Sequence, residues 1–263
     1  MDRKISLSVS THNGKRKNNN EDSFSINHKA KPSDKDIMNI CGDIGDSDLF
    51  LGVFDGMGGE KMGDVASRIA AERAAELYKQ LKELTPDMFQ QAIDKYVNET
   101  NAKICITLEN CGDDRGGTTM AAVFIKNGMV YPFSIGDSRI YLLRGDELIQ
   151  ISEDHTLAMR KYKSNIYTLE EAEASPDSHK LTLFLGVDVD GNGLDAQFYE
   201  PFLIPENGSL LICSDGLYDM CSKSEIVKML QQDSENTARE LAEAAVDNGG
   251  IDNVTCIVAK YAN

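Results

Sequence analysis

The run TTMAAVFIKNGMVYPFSIGDSRIYLLRGDELIQI at residues 118–151 decides the fold class. It contains four apolar segments of the kind that forms strands, at 118–126, 129–135, 140–143 and 147–151. The turn dipeptides Asn127-Gly128, Gly136-Asp137 and Gly145-Asp146 separate them. Connections this short join antiparallel neighbours, so the run predicts an antiparallel meander.

Strand patterns continue on both sides of this run and outnumber the helices that could cross between them. Further strands are predicted at 5–10, 23–27, 49–54, 181–185, 194–199, 209–213 and 253–261. Helical periodicity predicts helices at 61–84, 85–110, 224–231 and 235–247. The polar stretches 29–48 and 153–180 are predicted to be a loop and a weakly hydrophobic helical excursion. We therefore expect an α+β protein whose sheet is mainly antiparallel.

Length and charge limit the classes of function. A chain of 263 residues is expected to form one domain. With 27 basic and 43 acidic side chains its net charge is -16, which repels phosphate backbones and anionic lipid. We expect neither a nucleic acid nor a membrane as partner.

The cellular setting is predicted from what the sequence lacks. Its apolar stretches are far shorter than the roughly 20 residues of a membrane span, and the polar N-terminus does not resemble a signal peptide. The six cysteines form no C-x-x-C pair, which favours reduced packing residues over disulfides or zinc. We expect a cytoplasmic location.

Several familiar catalytic patterns fail on residue spacing. Gly58 and Gly63 have P-loop spacing, but Asp64 stands where the lysine should be. Ser214 lacks the glycine two residues earlier that a nucleophile elbow requires, and no cysteine has an arginine six residues later. Four scattered histidines without an H-E-x-x-H motif give little support for zinc catalysis. No covalent nucleophile is indicated.

Acidic residues stand at the boundaries of the predicted strands. Asp55, Asp137 and Asp215 each follow an apolar run, whereas Asp252 and the pair Glu21-Asp22 each precede one. In an antiparallel sheet the ends of some strands and the starts of others share one edge, so these acids can converge. A single Asp-Gly after a strand is usually a plain turn, but a cluster of carboxylates repels itself unless cations occupy it. An all-oxygen site suits Mg²⁺ or Mn²⁺.

These residues belong to a series of motifs with a recognisable order. The motifs are Asn20-Glu-Asp22, Asp55-Gly-Met-Gly-Gly59, Gly117-Thr-Thr119, Gly136-Asp-Ser-Arg139, Glu153-Asp-His-Thr156, Cys213-Ser-Asp-Gly-Leu217 and Asp252-Asn253-x-Thr255. Over nearly the whole chain, their order and spacing resemble the protein phosphatase 2C family of metal-dependent serine/threonine phosphatases. Each motif alone is weak evidence, but seven in sequence make the resemblance specific.

The resemblance implies a fold and a reaction. The fold would be a sandwich of two mainly antiparallel β-sheets flanked by pairs of α-helices, with residues 1–263 as one catalytic domain and 156–180 as a variable flap. The reaction would be Mn²⁺- or Mg²⁺-dependent hydrolysis of phosphoserine and phosphothreonine by a metal-bridging hydroxide. Phosphorylated proteins would be the partners, among them a serine/threonine kinase and its substrates.

The resemblance also implies roles for the acids. Asp55 would bridge two tightly bound metals, with Asp215 and Asp252 completing one ligand set. Glu21 and the Gly56 carbonyl would complete the other, and Asp137 would help hold a third, weaker metal. Asp22 would act through metal-bound water. Asn253, by its place beside Asp252, is predicted to hydrogen-bond a phosphate oxygen or an ordered water.

The chain departs from the family pattern in two places. Met57 stands where many eukaryotic members have a histidine proposed as the general acid, so protonation of the leaving group is unassigned; His155 is the nearest motif histidine, and a structural role is favoured for it. The family's phosphate-binding arginine lies four residues before the glutamate, where this chain has Lys17, with Arg16 one step away. Alternate residues of an extended segment face opposite sides, so only one of the two can face the cleft, and the four-residue offset from Glu21 selects Lys17.

Two other functions remain as alternatives. The first is a catalytically weak, phosphatase-like regulatory domain that binds phosphoproteins. The second is an acidic protein that binds divalent ions without catalysis. The presence of all the core metal acids favours the enzyme.

Overall fold

The computed structural model describes residues 4–32, 35–45, 48–58, 62–112, 116–189, 193–232 and 234–261. Its strands are β1 Lys4–His12, β2 Ser23–Ile26, β3 Lys29–Ala30, β4 Met38–Gly45, β5 Leu49–Phe54, β6 Gly56–Gly58, β7 Gly116–Thr118, β8 Met120–Lys126, β9 Met129–Ile135, β10 Arg139–Arg144, β11 Glu147–Gln150, β12 Gln197–Phe198, β13 Phe202–Leu203, β14 Ser209–Cys213 and β15 Val254–Tyr261. Its helices are α1 Met62–Glu83, α2 Phe89–Asn110, α3 Leu157–Lys163, α4 Leu169–Ala174, α5 Asp215–Tyr218, α6 Lys223–Leu230 and α7 Thr237–Asp247. Short 3₁₀ turns lie at Pro86–Met88 and Pro176–His179.

The strands form two antiparallel sheets and a small ribbon. The first sheet has the order β11-β10-β14-β15-β1-β4. The second has the order β12-β9-β8-β5-β2-β3, with β13 also paired to β9, and β6 pairs with β7. The prediction of an α+β protein built on antiparallel sheets is confirmed.

The two sheets pack face to face and each carries helices on its outer face. One apolar layer, including Leu7, Leu51 and Ile257, fills the space between the sheets. A second layer packs α1 and α2 on the second sheet, and a third packs α6 and α7 on the first. The predicted sandwich flanked by pairs of helices is therefore confirmed.

Strand β5 is apolar without interruption because both of its faces are covered. Leu49, Leu51 and Val53 face the layer between the sheets, whereas Phe50 and Phe54 face the helices. Successive side chains of a strand point to opposite faces, so a strand covered on both faces must be apolar at every position. This continuous apolar pattern predicts a buried strand that ends just before Asp55.

The predicted meander is wrong, because the chain changes sheets between β9 and β10. Strand β9 pairs with β8 in the second sheet, whereas β10 pairs with β14 in the first. The change occurs at Gly136, whose φ of 100° favours glycine and whose added Cβ would lie 2.7 Å from Thr119 Cβ. A turn signal predicts that the chain reverses, but not which sheet the next strand joins.

Two further predictions are corrected. The expected loop at 29–48 contains β4, which pairs with β1 and forms one edge of the first sheet. Met38 and Ile40 reach the layer between the sheets, whereas their neighbours Asn39 and Cys41 are exposed, so the strand has an edge strand's mixed composition. The expected strand at 181–185 is irregular and forms only isolated bridges at Leu181 and Leu185.

The helix predictions agree with the structure within a few residues, although Lys61, the predicted start of the first helix, lies outside the described residues. The excursion at 153–180 contains α3, α4 and the second 3₁₀ turn. All six cysteines are free thiols; Cys213, Cys221 and Cys256 are buried packing residues, whereas Cys41 and Cys111 are exposed and do not pack in the core. Within the described ranges, no helix combines the length and apolar character that crossing a bilayer requires.

Replacing Leu51 by alanine tests the importance of the layer between the sheets. The side chain has no exposed surface, so Leu51→Ala should lower the free energy of unfolding by about 2–5 kcal/mol. Leu203→Ala is the control, because Leu203 is 59% exposed and its loss should change stability by less than about 0.5 kcal/mol. Urea unfolding of both variants measures the difference, and equal costs would contradict the layered core.

Candidate metal centre

The acids selected from the sequence gather at one end of the two sheets. They come from the turn before β2, the end of β5, the change of sheets after β9, the start of α5 and the turn before β15: Glu21, Asp22, Asp55, Asp137, Asp215 and Asp252. Burial, and then the charges of Asp22, Asp215, Asp137 and Asp252, raise the pKa of Asp55 well above its usual range. The predicted convergence of strand ends and strand starts is therefore present in the fold.

These carboxyl groups hold protons unusually strongly. Burial raises the pKa of Asp22 to about 6, although a hydrogen bond from Ser214 opposes the shift. Burial and the nearby Asp154 raise the pKa of Asp137 to about 7. Near neutral pH the cluster must therefore retain protons or acquire cations, because several buried like charges are costly.

Glu21 provides an independent indication of a cation-binding site. Its Oε1 atom is buried and has no hydrogen-bond partner among the described residues. Burial raises the pKa of this carboxyl, while Lys17 acts in the opposite direction. An unsatisfied buried carboxylate oxygen beside other carboxylates fits a divalent metal with oxygen ligands. The residues present thus match the predicted Mn²⁺ or Mg²⁺ site.

Main-chain hydrogen bonds hold Asp55 and Gly56 in place. The Asp55 carbonyl accepts from Thr118 Oγ1 and from the Thr119 amide, both at 2.9 Å, and the Asp55 amide donates to Thr119 Oγ1 at 3.0 Å. At Gly56 an added Cβ would lie 2.3 Å from the Gly63 carbonyl oxygen and 2.5 Å from that of Glu21. Only glycine fits this close approach of three backbone segments.

The Asn253 side chain connects backbone segments beneath the site. Its Oδ1 accepts a 2.8 Å hydrogen bond from the Glu21 amide, and its Nδ2 donates to the carbonyls of Asn13 and Asn19, both at 3.0 Å. A phosphate oxygen would need a donor, and both amide hydrogens are already used. The side chain thus joins three segments beneath the site, and its predicted contact with a phosphate oxygen or an ordered water stays a prediction.

The Lys17 side chain points toward the acidic cluster and contacts Asp252. Its Nζ is 2.8 Å from Asp252 Oδ1. Burial lowers the pKa of Lys17, but the hydrogen bond to Asp252 and the charges of Glu21 and Asp55 outweigh it, so the net shift is upward. Arg16 and Lys17 both line a hollow that also includes Glu21 and Gly58. Lys17 therefore remains a cation at the edge of the acidic cluster.

His155 supports the turn that carries Asp137. Its Nδ1 accepts from the Gly136 amide at 3.0 Å, and its Nε2 lies 2.6 Å from Gln197 Oε1. Because Nδ1 is an acceptor, Nε2 carries the hydrogen and donates it. One ring nitrogen therefore holds a main-chain amide and the other a side-chain oxygen, which is the structural role favoured by the sequence.

A buried lysine, Lys31, lies under the acids and was not predicted from the sequence. Lys31 is 6% exposed and its Nζ donates to the Asn20 carbonyl at 3.1 Å. Burial lowers its pKa, while the charge of Asp22 acts in the opposite direction. Lys31 lies in a stretch predicted to be a loop, so no local pattern marked it as part of the site.

A second missed group joins the flap to the acids. Ligand atoms of His179, Asp215 and Asp219 lie within 4.8 Å of one another, and His179 Nδ1 is 3.7 Å from Asp219 Oδ2. Asp137 is not in this group, although its charge affects the pKa of Asp215. The four-residue spacing of Asp215 and Asp219 was visible in the sequence, but the approach of His179 was not.

Comparisons with known proteins agree with this geometry. The sequence matches the family model of protein phosphatase 2C over residues 35–248. It is 33% identical to the serine/threonine phosphatase stp of Listeria innocua over 79% of this chain and 82% of that protein. It is 30% identical to protein phosphatase PhpP of Streptococcus pneumoniae over 95% of each.

A solved structure extends the likeness to the fold. The catalytic domain of the serine/threonine protein phosphatase PstP in complex with two manganese ions is 29% identical, with a TM-score of 0.75. The match covers 99% of this chain and all of that chain. The chain therefore belongs to the protein phosphatase 2C family, as its motif series predicts.

Proposed function

We propose that this chain is a Mn²⁺- or Mg²⁺-dependent protein phosphatase that hydrolyses phosphoserine and phosphothreonine. The observation that carries this proposal is the buried carboxylate cluster with an unsatisfied Glu21 oxygen. Family membership supports the reaction, since relatives are named serine/threonine phosphatases and one is solved with two manganese ions. A catalytically weak regulatory domain is not favoured, because all the expected acids gather in the cluster.

The ligand assignment follows the motif positions. Asp55 would be shared by two cations, with Asp215 and Asp252 in one set and Glu21 with the Gly56 carbonyl in the other. Asp137 would help hold a third, weaker cation. The cations would lower the pKa of a water toward neutrality and neutralise the phosphoryl oxygens.

The remaining residues would position water and phosphate and would form no covalent bond with phosphorus. Asp22 is 1% exposed, accepts a 2.8 Å hydrogen bond from Ser214 and would orient water beside the cations. Lys17 would contact the phosphate, because a cation bound to Asp252 competes for the carboxylate that the lysine ammonium now contacts. No covalent nucleophile is required in this scheme, in keeping with the buried Cys213 thiol, whose pKa is raised by burial.

The chain would act as one catalytic domain of residues 1–263, with 156–180 as a flap beside the metal centre. The approach of His179 to Asp219 supports that position for the flap. Phosphorylated proteins would be its substrates and a serine/threonine kinase would act on the same proteins. The free cysteines are consistent with the cytoplasmic location that we propose.

Metal dependence is the direct test of the function. Release of phosphate from p-nitrophenyl phosphate and from a phosphothreonine peptide should require added Mn²⁺ or Mg²⁺ and stop with chelator. The physical reason is that the carboxylates and lysines described at the site do not lower the pKa of a water molecule as a bound divalent cation does. Chelator-resistant turnover by metal-free protein would contradict the proposal.

Two acid variants should separate tight from weak metal binding. Asp215→Asn keeps the side-chain shape but removes a charge, so we expect a loss of turnover on the order of 100-fold or more and weaker Mn²⁺ binding by calorimetry. Asp137→Ala should impair turnover while two tight ions still bind. Asp247→Asn is the control, because that carboxylate is 85% exposed. Loss of a tight site in Asp137→Ala would contradict the third-ion assignment.

Phosphate capture by Lys17 can be separated from catalysis. A charged hydrogen bond is worth roughly 1.5–3 kcal/mol, or about 10- to 150-fold, so Lys17→Ala should raise KM by that factor. The contact exists in the bound substrate too, so kcat should change less. Lys17→Arg should match or exceed the parent, and Arg16→Ala should be mild. A larger effect of Arg16→Ala would identify Arg16 as the phosphate-binding residue.

A further inference from the structure

An apolar hollow of about 450 Å³ lies beside the candidate metal centre. Its lining residues come from β6, from β7 and from the irregular segment after the flap: Met57, Gly58, Gly116, Phe184, Gly186, Val187 and Asp188. Its surface is mostly apolar in a chain of net charge -16. The proposed reaction makes no use of this hollow.

Glycines on the β6–β7 ribbon form its floor. Met57 pairs with Gly117 across the ribbon, and an added Cβ on Gly117 would lie 2.5 Å from both the Leu185 carbonyl oxygen and Phe184 Cδ2. The Phe184 ring therefore packs directly on the backbone of Gly117. Absence of a side chain there leaves the ring as one wall of the hollow.

Hydrogen bonds fix the backbone of the segment that carries Phe184. Thr118 and Leu185 exchange two backbone hydrogen bonds of 2.8 and 2.9 Å. Asn101 of α2 accepts from the Gly186 amide at 2.6 Å and donates to the Val187 carbonyl at 2.9 Å. The hollow is thus formed before any ligand arrives, which lowers the entropic cost of binding.

The hollow adjoins the phosphate side of the site at Gly58. Gly58 lines both this hollow and the one formed by Arg16, Lys17 and Glu21. Gly58 follows the proposed carbonyl ligand Gly56 by two residues, a distance of about 7 Å along an extended chain. A substrate peptide with its phosphate at the metals would therefore bring a residue two or three positions away over this hollow.

We propose that the hollow receives an apolar side chain located two or three residues from the phosphorylated serine or threonine of the substrate. This inference rests on the proposed function. The Met57, Phe184 and Val187 side chains favour an aliphatic or aromatic occupant, whereas Asp188 at the exposed rim repels an acidic one. The lining in the described part of the chain has no cation that could attract phosphate or an acidic side chain.

The test compares phosphothreonine peptides that differ at one position. Leucine, alanine or aspartate is placed two or three residues before or after the phosphothreonine, and kcat/KM is measured for each. Partial burial of a leucine is worth on the order of a tenfold change, so leucine should exceed alanine about tenfold at one of these positions, with aspartate slowest. Equal rates for leucine and alanine at all four positions would overturn the proposal.

Variants locate the effect in the hollow. Phe184→Ala should reduce the leucine-to-alanine ratio from about ten to about one, and Phe184→Leu should largely restore it. Leu203→Ala, which removes an exposed leucine elsewhere, should leave the ratio unchanged. A ratio that persists in Phe184→Ala would overturn the proposal.

Two further outcomes can be told apart: a second copy of the chain in the hollow, and failure of the proposed function itself. If the hollow seats a second copy of this chain, Phe184→Ala would change sedimentation of the protein and leave the ratio alone, which overturns the proposal. Metal-dependent turnover of p-nitrophenyl phosphate by the parent protein is measured in parallel. Its absence would overturn the proposed function, whereas its presence with no leucine preference would overturn only this inference.

Discussion

Repulsion among carboxylates buried at one end of the sandwich is the constraint on which the site depends. Asp55 and Asp215 have strongly raised pKa values because they are buried and face further acids. Such a cluster could relax by moving apart, but main-chain hydrogen bonds prevent it. Thr118 and Thr119 hold the Asp55 backbone, and Asn253 joins the Glu21 amide to two other segments. The protein therefore keeps its acids together until cations neutralise them.

The two-sheet architecture explains how so many acids reach one place. The second sheet supplies the end of β5 and the start of β2, and the first supplies the end of β14 and the start of β15. Antiparallel order puts ends and starts on the same edge, and face-to-face packing brings the two edges together. Helix α1 contributes Gly63, which packs directly on Gly56. A rigid apolar layer between the sheets is the condition for this alignment.

Two hollows of opposite character flank the acids. One contains Arg16 and Lys17 and suits phosphate, and the other contains Met57 and Phe184 and suits an apolar side chain. Gly58 lines both of them. In the proposed function, this surface would recognise both the phosphate and its neighbouring residues.

Sequence alone was sufficient for most of the elements and for the antiparallel class, because periodicity and turn dipeptides are local signals, and its strand-end carboxylates indicated which acids could gather. It could not predict that β10 leaves the sheet of β9, since that depends on pairing with the distant β14. Nor could it predict β4, whose exposed face is polar, or the burial of Lys31 under the acids. The contacts of the Asn253 side chain were decided by carbonyl groups more than 230 residues away in sequence, which accept its amide hydrogens. Local chemistry determined which groups were available, and the tertiary contacts decided which of them remained free to act.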